Sequence, residues 1–366
     1  MCWKILMRGP LLYRFNMRKQ LSSVLAIELL TVTLTCGLSF GQEKENWDNV
    51  LVGARKEGKV VVYGTSSFRP MIKEVEAILN KRYGLKVEYL VARSREVRER
   101  INSEVRTKNP IGDLAQAGAT SLPALWQDGG LETWLPPSLK FVRPEIIESM
   151  DLPKMPITPL YANLRGILVN TNLVRAGEEP KSWKDLADPK WRGKILMDDP
   201  RSAGAGNSLF VSTVRHPALG KEFHQKVAQN KPVFVGAGTY QQIATRVAQG
   251  EYAIGFPVDA DAVLELKGAP IKWIAPTEGV TYTIMGIGLV KNAPRPNASK
   301  AFIDFTLSDE FQRVAGKSAS PIRMGVPSIR KEWSLDHAAL LPRPLAETRQ
   351  EREEFYRLVE STYGIR

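Results

Sequence analysis

Beyond residue 42 the chain alternates short apolar runs with stretches whose apolar residues recur every three or four positions. Residues 59–63 form a short, mainly apolar run closed by Gly58 and Gly64, the pattern of a buried strand. Met71, Ile72, Val75, Ile78 and Leu79 fall on one face, which predicts a helix from about Pro70 with Gly84 as its C-cap. Residues 86–91 predict a second strand. Val97, Ile101 and Val105 mark one face of a charged helix that stops before Pro110, and 112–116 predict a third strand. The βαβαβ order implies a parallel sheet with helices on both faces.

Residues 151–159 carry three prolines and predict a surface connection. A long apolar strand follows at 161–170, after which the alternation resumes. Strands are expected at 194–197, 232–235, 252–256 and 271–274, with helices at 205–214, 219–228 and 239–248. A second long strand at 281–290 precedes helices near 298–306 and 309–316. Two long strands that bracket a self-contained α/β block predict two lobes joined by two crossings. The first lobe would hold 42–162 and about 279–366; the second, about 163–278. Ligands of open α/β sheets bind beyond the carboxyl ends of the strands, and in two lobes those ends face each other across a cleft.

The first 41 residues follow another pattern. A basic stretch from Met17 to Gln20 precedes a mostly apolar run to Phe40, and Ser39-Phe40-Gly41 suits signal peptidase cleavage after Gly41. Residues 1–41 are therefore expected to be a signal peptide, with Met17 as the true start and the mature protein in the periplasm. A retained membrane anchor and a lipid-modified Cys36 are the alternatives; Glu28 weighs against the first and Thr33 against the second. Both cysteines, Cys2 and Cys36, lie in this segment. The mature chain would then lack disulfides, thiolate metal sites and cysteine nucleophiles. Loss of the segment lowers the formal charge from +12 to +8. Basic and acidic residues alternate along helix faces with no basic tail, which predicts a solvated surface and no nucleic-acid partner.

Candidate chemistry gathers at the strand ends. The first strand runs into Gly64-Thr65-Ser66-Ser67, where hydroxyls and free amides at a helix start suit an anionic or oxygen-rich ligand; capping of the helix by Thr65 or Ser67 is the plainer role. Arg93, after the second strand, offers a fork to a carboxylate or phosphate, or simply opens an arginine-rich helix. Gly118 and Thr120, after the third, allow close approach to the backbone. In the second block, Asp198-Asp199-Pro200-Arg201 leads into small residues that include Gly204 and open a helix, an arrangement that favours an anion. Thr239 and Asp259 complete the set, with Asp261 beside them. Tyr161 and Tyr282, near the crossings, would stack on a ligand or pack the hinge. His216, His224 and His337 are the three histidines; His216 and His224 lie on or beside a helix and read as surface positions. No HExxH or GxSxG pattern occurs, so no catalytic residue, cofactor or metal site is assigned.

Four stretches in order, KVVVYGTSS (59–67), SWKDLADPKWRGKILMDDP (182–200), RVAQGEYAIGF (246–256) and GIGLVKNAPRPNASKAFIDFTLSDEFQ (286–312), make the chain resemble the periplasmic solute-binding proteins of ABC importers, in the branch of ferric-iron-binding components. The resemblance spans about 47–330. It implies an α/β, two-lobed periplasmic-binding-protein-like fold of class II. Each lobe would be a mixed, mainly parallel sheet flanked by helices, with two crossover strands as hinge. It also implies a monomer that binds a small-molecule ligand and docks on an inner-membrane ABC permease. The chain departs from the ferric pattern. Val258-Asp259-Ala260-Asp261 stands where adjacent tyrosines are usual, Thr65-Ser66-Ser67 where a histidine is frequent, and Gly118-Ala119-Thr120 where a glutamate is. A hard ferric ion wants several anionic oxygens. The expectation is a small, polar, anionic organic solute. The alternatives are iron held by Asp259, Asp261 and a bound anion, or an exported hydrolase or lyase on the same scaffold.

Overall fold

The computed structural model describes residues 46–118, 121–152, 154–201, 204–236, 240–341 and 349–364. The expected signal segment, with Met17 and Gly41, lies outside these residues, as do Thr120 and Thr239. The elements run α1 (Trp47–Glu57), β1 (Lys59–Gly64), α2 (Ile72–Tyr83), β2 (Lys86–Val91), α3 (Ser94–Arg106), β3 (Leu114–Gly118), α4 (Leu122–Gln127), α5 (Pro144–Ser149) and β4 (Thr158–Asn170). They continue with β5 (Ile195–Asp198), α6 (Ala205–Val214), α7 (Gly220–Gln229), β6 (Val233–Val235), α8 (Tyr240–Ala248), β7 (Ile254–Asp259), α9 (Ala262–Glu265) and β8 (Ile271–Ile274). The chain closes with β9 (Thr281–Leu289), α10 (Pro296–Thr306), α11 (Asp309–Ala315) and α12 (Arg349–Tyr363).

The strands form a mixed sheet in the order β2-β1-β3-β9-β4-β7-β5-β6, with β8 against β4. β1 pairs in parallel with β2 and β3, and β5 in parallel with β6 and β7. Between these two parallel sets run the long antiparallel strands β4 and β9. β4 pairs with β9 from Thr158 to Arg165, then with β7 and β8 from Arg165 to Asn170. Each set has its own apolar packing. Val60, Val62, Phe68, Leu79, Phe302 and Phe311 fill one side of the first. Ile167, Trp183, Ile195, Met197, Phe223 and Phe256 fill the second. Each such side chain contributes about 1.5–3 kcal/mol by leaving water.

The differences from expectation have local causes. β3 starts at Leu114 because Asp113 is fully buried and its carboxylate accepts the Val61 amide at 2.7 Å and Arg295 Nε at 2.7 Å. β7 runs on to Asp259 because Val258 and Asp259 pair with Gly166 and Arg165. α1 was not foreseen; it is short, capped by the Asn46 side chain and by Gly58 at φ 68°, and buries only Val50 and Ala54. The helix α12, expected with about 279–366 in the first lobe, packs on the second set. Its Phe355 and Val359 meet Phe210 and Val211 of α6. His224 is likewise no surface histidine: it is buried, 2.8 Å from Thr213 Oγ1 on one ring nitrogen and 2.8 Å from the Tyr363 hydroxyl on the other.

Candidate functional site at the strand ends

The carboxyl ends of β1, β3, β5 and β7 carry most of the predicted residues. After β1, the Thr65 amide donates to Gln116 Oε1 at 2.9 Å, and its hydroxyl lies 3.2 Å from the same oxygen. The Tyr89 hydroxyl shares that acceptor at 2.7 Å. Thr65 is thus tied inward and makes no side-chain cap to the turn at Ser66–Met71. Gly64 is required for a reason other than turn geometry: a Cβ there would lie 2.0 Å from the Tyr89 hydroxyl. A hydrogen-bonded line continues from Thr65 Oγ1 to Ser67 Oγ at 3.0 Å, and the Tyr161 hydroxyl donates to Ser67 Oγ at 3.3 Å. Ser66 faces the other set, where its Oγ accepts from Gln241 Nε2 of α8 at 3.5 Å. Gly118 ends β3 half-buried. Arg93 is exposed and its amide donates to Glu96 Oε2 at 3.0 Å, so its main chain opens α3 while its guanidinium lies outside this network.

In the second set the arginine and aspartates pair among themselves. Asp199 and Arg201 form a two-pronged pair, Nη2 to Oδ2 at 2.6 Å and Nε to Oδ1 at 2.9 Å. Burial opposes charge on Asp199, but the Arg201 guanidinium and amide hold its carboxyl below the usual range. The helix start at Gly204 was expected to receive a ligand anion. One of its amides is occupied by the chain itself, since Gly206 N–H donates to Asp198 Oδ2 at 2.7 Å. Asp259 is buried and paired with Arg165 Nε at 2.5 Å, while Arg165 Nη1 donates to Thr283 Oγ1 at 2.6 Å. Tyr282 packs half-buried beside Leu164 on the crossing strands.

Burial sets the proton affinities. It lifts Asp198 to about 6, against the Gly206 amide and Arg165, with Asp199 and Asp259 adding to the rise. Burial, then Asp259 and Glu265, hold Asp261 well above the carboxylate range. Tyr161 and Tyr89 are both raised above 10.0 chiefly by burial. Burial and Asp259 also raise Glu265, while Arg69 from the first set pulls it down across the seam.

Sequence reasoning missed Arg165, Gln116, Tyr89 and Gln241. Two of these had a signal: Arg165 and Gln116 are lone polar residues inside apolar strand runs, where burial demands a partner. Among the described residues no group of three or more His, Cys, Asp or Glu is placed to hold a metal ion. No helix among them is long and apolar enough to cross a membrane.

Two parallel sets joined by long crossing strands, with polar groups at facing strand ends, are the architecture of a two-lobed class II periplasmic binding protein. Solved structures confirm that fold. The periplasmic binding protein AfuA from Actinobacillus pleuropneumoniae, with fructose-6-phosphate bound, superposes with a TM-score of 0.65 at 20% identity, covering 85% of this chain and 100% of that one. Iron-bound HitA from Pseudomonas aeruginosa gives 0.64 at 18% identity, covering 83% and 99%. The chain belongs to the family of bacterial extracellular solute-binding proteins, whose model matches residues 130–340. Among relatives, an uncharacterized protein of Haemophilus influenzae is 28% identical over 285 residues, 74% of this chain and 79% of that one. Iron uptake protein A1 of Synechocystis is 25% identical over 271 residues, 69% and 73%. A periplasmic protein of Salmonella typhimurium named for binding 2-aminoethylphosphonate is 27% identical over 197 residues, 50% and 56%. Membership of that family supports a role as the substrate-binding component of an ABC transporter.

Proposed function

We propose that this protein captures a small polar organic solute between its two lobes and delivers it, as a monomer cleaved from its signal peptide near Gly41, to an ABC permease. The lobes meet at the strand ends, with the hinge on β4 and β9 near Arg165 and Thr281, and α12 riding on the second lobe. The observation that carries the chemical class is where the charges go. Arg165 and Arg201 are each taken by a carboxylate of their own, Asp259 and Asp199. Asp198, by contrast, is 1% exposed and its Oδ1 has no partner among the described residues. A solute that is only an anion would find both guanidiniums occupied and a buried carboxylate, Asp198, beneath the strand end. A solute that also carries an amine donor complements Asp198, so the anion expected from the sequence becomes an amine-bearing anion. The solute contacts both lobes only when they are together, and its differential affinity favours that state.

Carriage of ferric iron is the second reading, supported by the relatives named as iron uptake proteins and by Tyr161, which feels the charges of Asp261 and Asp259. Calorimetry of the purified protein with 2-aminoethylphosphonate, fructose-6-phosphate and ferric citrate separates the readings. Binding of the amine-bearing phosphonate, tighter than that of the plain phosphate ester, is the expected result. A visible charge-transfer band with ferric citrate, and heat from that titration alone, would replace it with iron carriage.

A further inference from the structure

A small, partly open chamber of about 10 Å³ lies where the two lobes abut the crossing strand, lined by Asn163, Leu164, Asp261, Ser318, Ser320 and Trp333. Its walls come from separate parts of the fold. Asp261 follows β7 and is anchored through Ala260, whose amide donates to the Leu164 carbonyl at 3.0 Å. Ser318 and Ser320 follow α11, and Ser320 exchanges backbone hydrogen bonds of 2.9 Å with Ala162. The chamber therefore occupies the corner where the neighbours of β4 change from one lobe to the other within three residues. Two polar atoms of its walls lack a partner among the described residues: Asp261 Oδ1 and Ser318 Oγ. Both residues are more than nine-tenths buried, at 4% and 7% exposure. Asp261 also forgoes the capping bond its place before α9 would allow. A buried polar group with no partner is costly, and two lining one small space demand a shared guest. The volume admits about one water and excludes any organic solute or hydrated ion.

We propose that this chamber is a binding site for a single internal water molecule that joins Asp261 of the second lobe to Ser318 of the first, and so forms part of the hinge. The chamber adjoins the candidate site through Asp261, two residues after Asp259, but its proposed guest is the same whichever solute is bound. A bare monovalent cation is the competing guest of similar size, but it prefers more oxygen ligands than the two free ones here.

Oxygen-17 magnetic relaxation dispersion of the full chain in solution counts long-lived internal waters and tests the proposal. Ser318→Val, which fills the space with methyl groups, is expected to lose one such water. Asp261→Asn, which keeps both hydrogen-bonding roles, is expected to retain it. Ser318→Ala, the smaller change, should shorten that water's residence time and serves should the valine variant not fold. Unchanged counts and residence times in Ser318→Val and Ser318→Ala would overturn the proposal. So would a rise in the wild-type melting temperature with sodium or potassium at constant ionic strength, which would give the chamber to a cation.

Discussion

Replacing Arg165 by Met removes the charge and both donors while keeping much of the stem. Asp259 is then left buried, its side chain 2% exposed, without the Nε contact at 2.5 Å. Thr283 loses its donor at 2.6 Å. Breaking a buried ion pair by removing one partner costs about 3–5 kcal/mol, whereas replacing both partners with apolar groups is often close to neutral. Protonation limits the damage: neutralising an ordinary aspartate at pH 7 costs about 4 kcal/mol, and that ceiling falls by about 1.4 kcal/mol for each pH unit downward. Arg165→Met should therefore lower unfolding stability at pH 7 by about 3–4 kcal/mol, and by visibly less at pH 5. The double variant Arg165→Met/Asp259→Leu should recover to within about 1–2 kcal/mol of wild type. It also removes two opposed influences on Asp198 and Asp261, since Asp259 raises both and Arg165 lowers both. Urea denaturation at the two pH values, arranged as a double-mutant cycle, reads every quantity. A single-variant loss below about 1 kcal/mol, or a double variant as unstable as the sum of its parts, would refute the reasoning.

Three further outcomes are expected. Burial places His224 at about 3, below its ordinary 6.5. The unfolded chain binds a proton that the native state refuses, so stability is complete above pH 6.5 and falls as pH drops toward 3, by up to about 1.4 kcal/mol per unit; His224→Gln should flatten that slope in urea titrations, and parallel slopes would reject the assignment. Gly206→Ala would set a Cβ 2.2 Å from the Asp198 carbonyl oxygen, a backbone atom, so a loss of about 1–3 kcal/mol is expected, read as a lower melting temperature. Gln241→Ala removes the hydrogen bond to Ser66 across the seam; solute affinity should drop about fivefold by calorimetry, the equivalent of one net hydrogen bond, with stability little changed.

The strand and helix order was legible because apolar runs and helical spacing report burial directly. Residues 205–214 and 271–274 matched α6 and β8 residue for residue. The candidate site was legible only as positions. Thr65, Asp199, Arg201 and Asp259 do stand at strand ends, but what each side chain holds depends on residues distant in sequence. Thr65 is spent on Gln116, 51 residues away, and Asp259 on Arg165, 94 residues away. Periodicity cannot reveal such pairings. It does reveal that Arg165 and Gln116 are polar residues in buried strands, and a buried polar group must be satisfied. α12 escaped for the opposite reason. Its apolar residues meet the second lobe only through long-range packing, and nothing in residues 331–348 signals the return.

The same bookkeeping of partners bears on the cargo. For ferric iron to rest on Tyr161, the metal must strip a proton from a hydroxyl that burial and two nearby aspartates hold above 10.0. It must also displace the Tyr161 bond to Ser67. Tyr89 is no easier, since its proton is engaged by Gln116 and by the Thr65 carbonyl. Asp259 would have to release Arg165, stranding a guanidinium whose side chain is 13% exposed. An amine-bearing solute leaves those pairs in place. Its ammonium would reach Asp198 Oδ1, which is buried and has no partner among the described residues, once the strand end opens to admit it, and its charge would offset the repulsion from Asp199 and Asp259 that helps raise Asp198. Binding such a solute should therefore lower the Asp198 pKa and release a proton near pH 6. Calorimetry in two buffers of different ionisation enthalpy would read that proton, and Asp198→Asn should abolish its release. A solute bound with no proton release at pH 6 would show that its charge is met elsewhere.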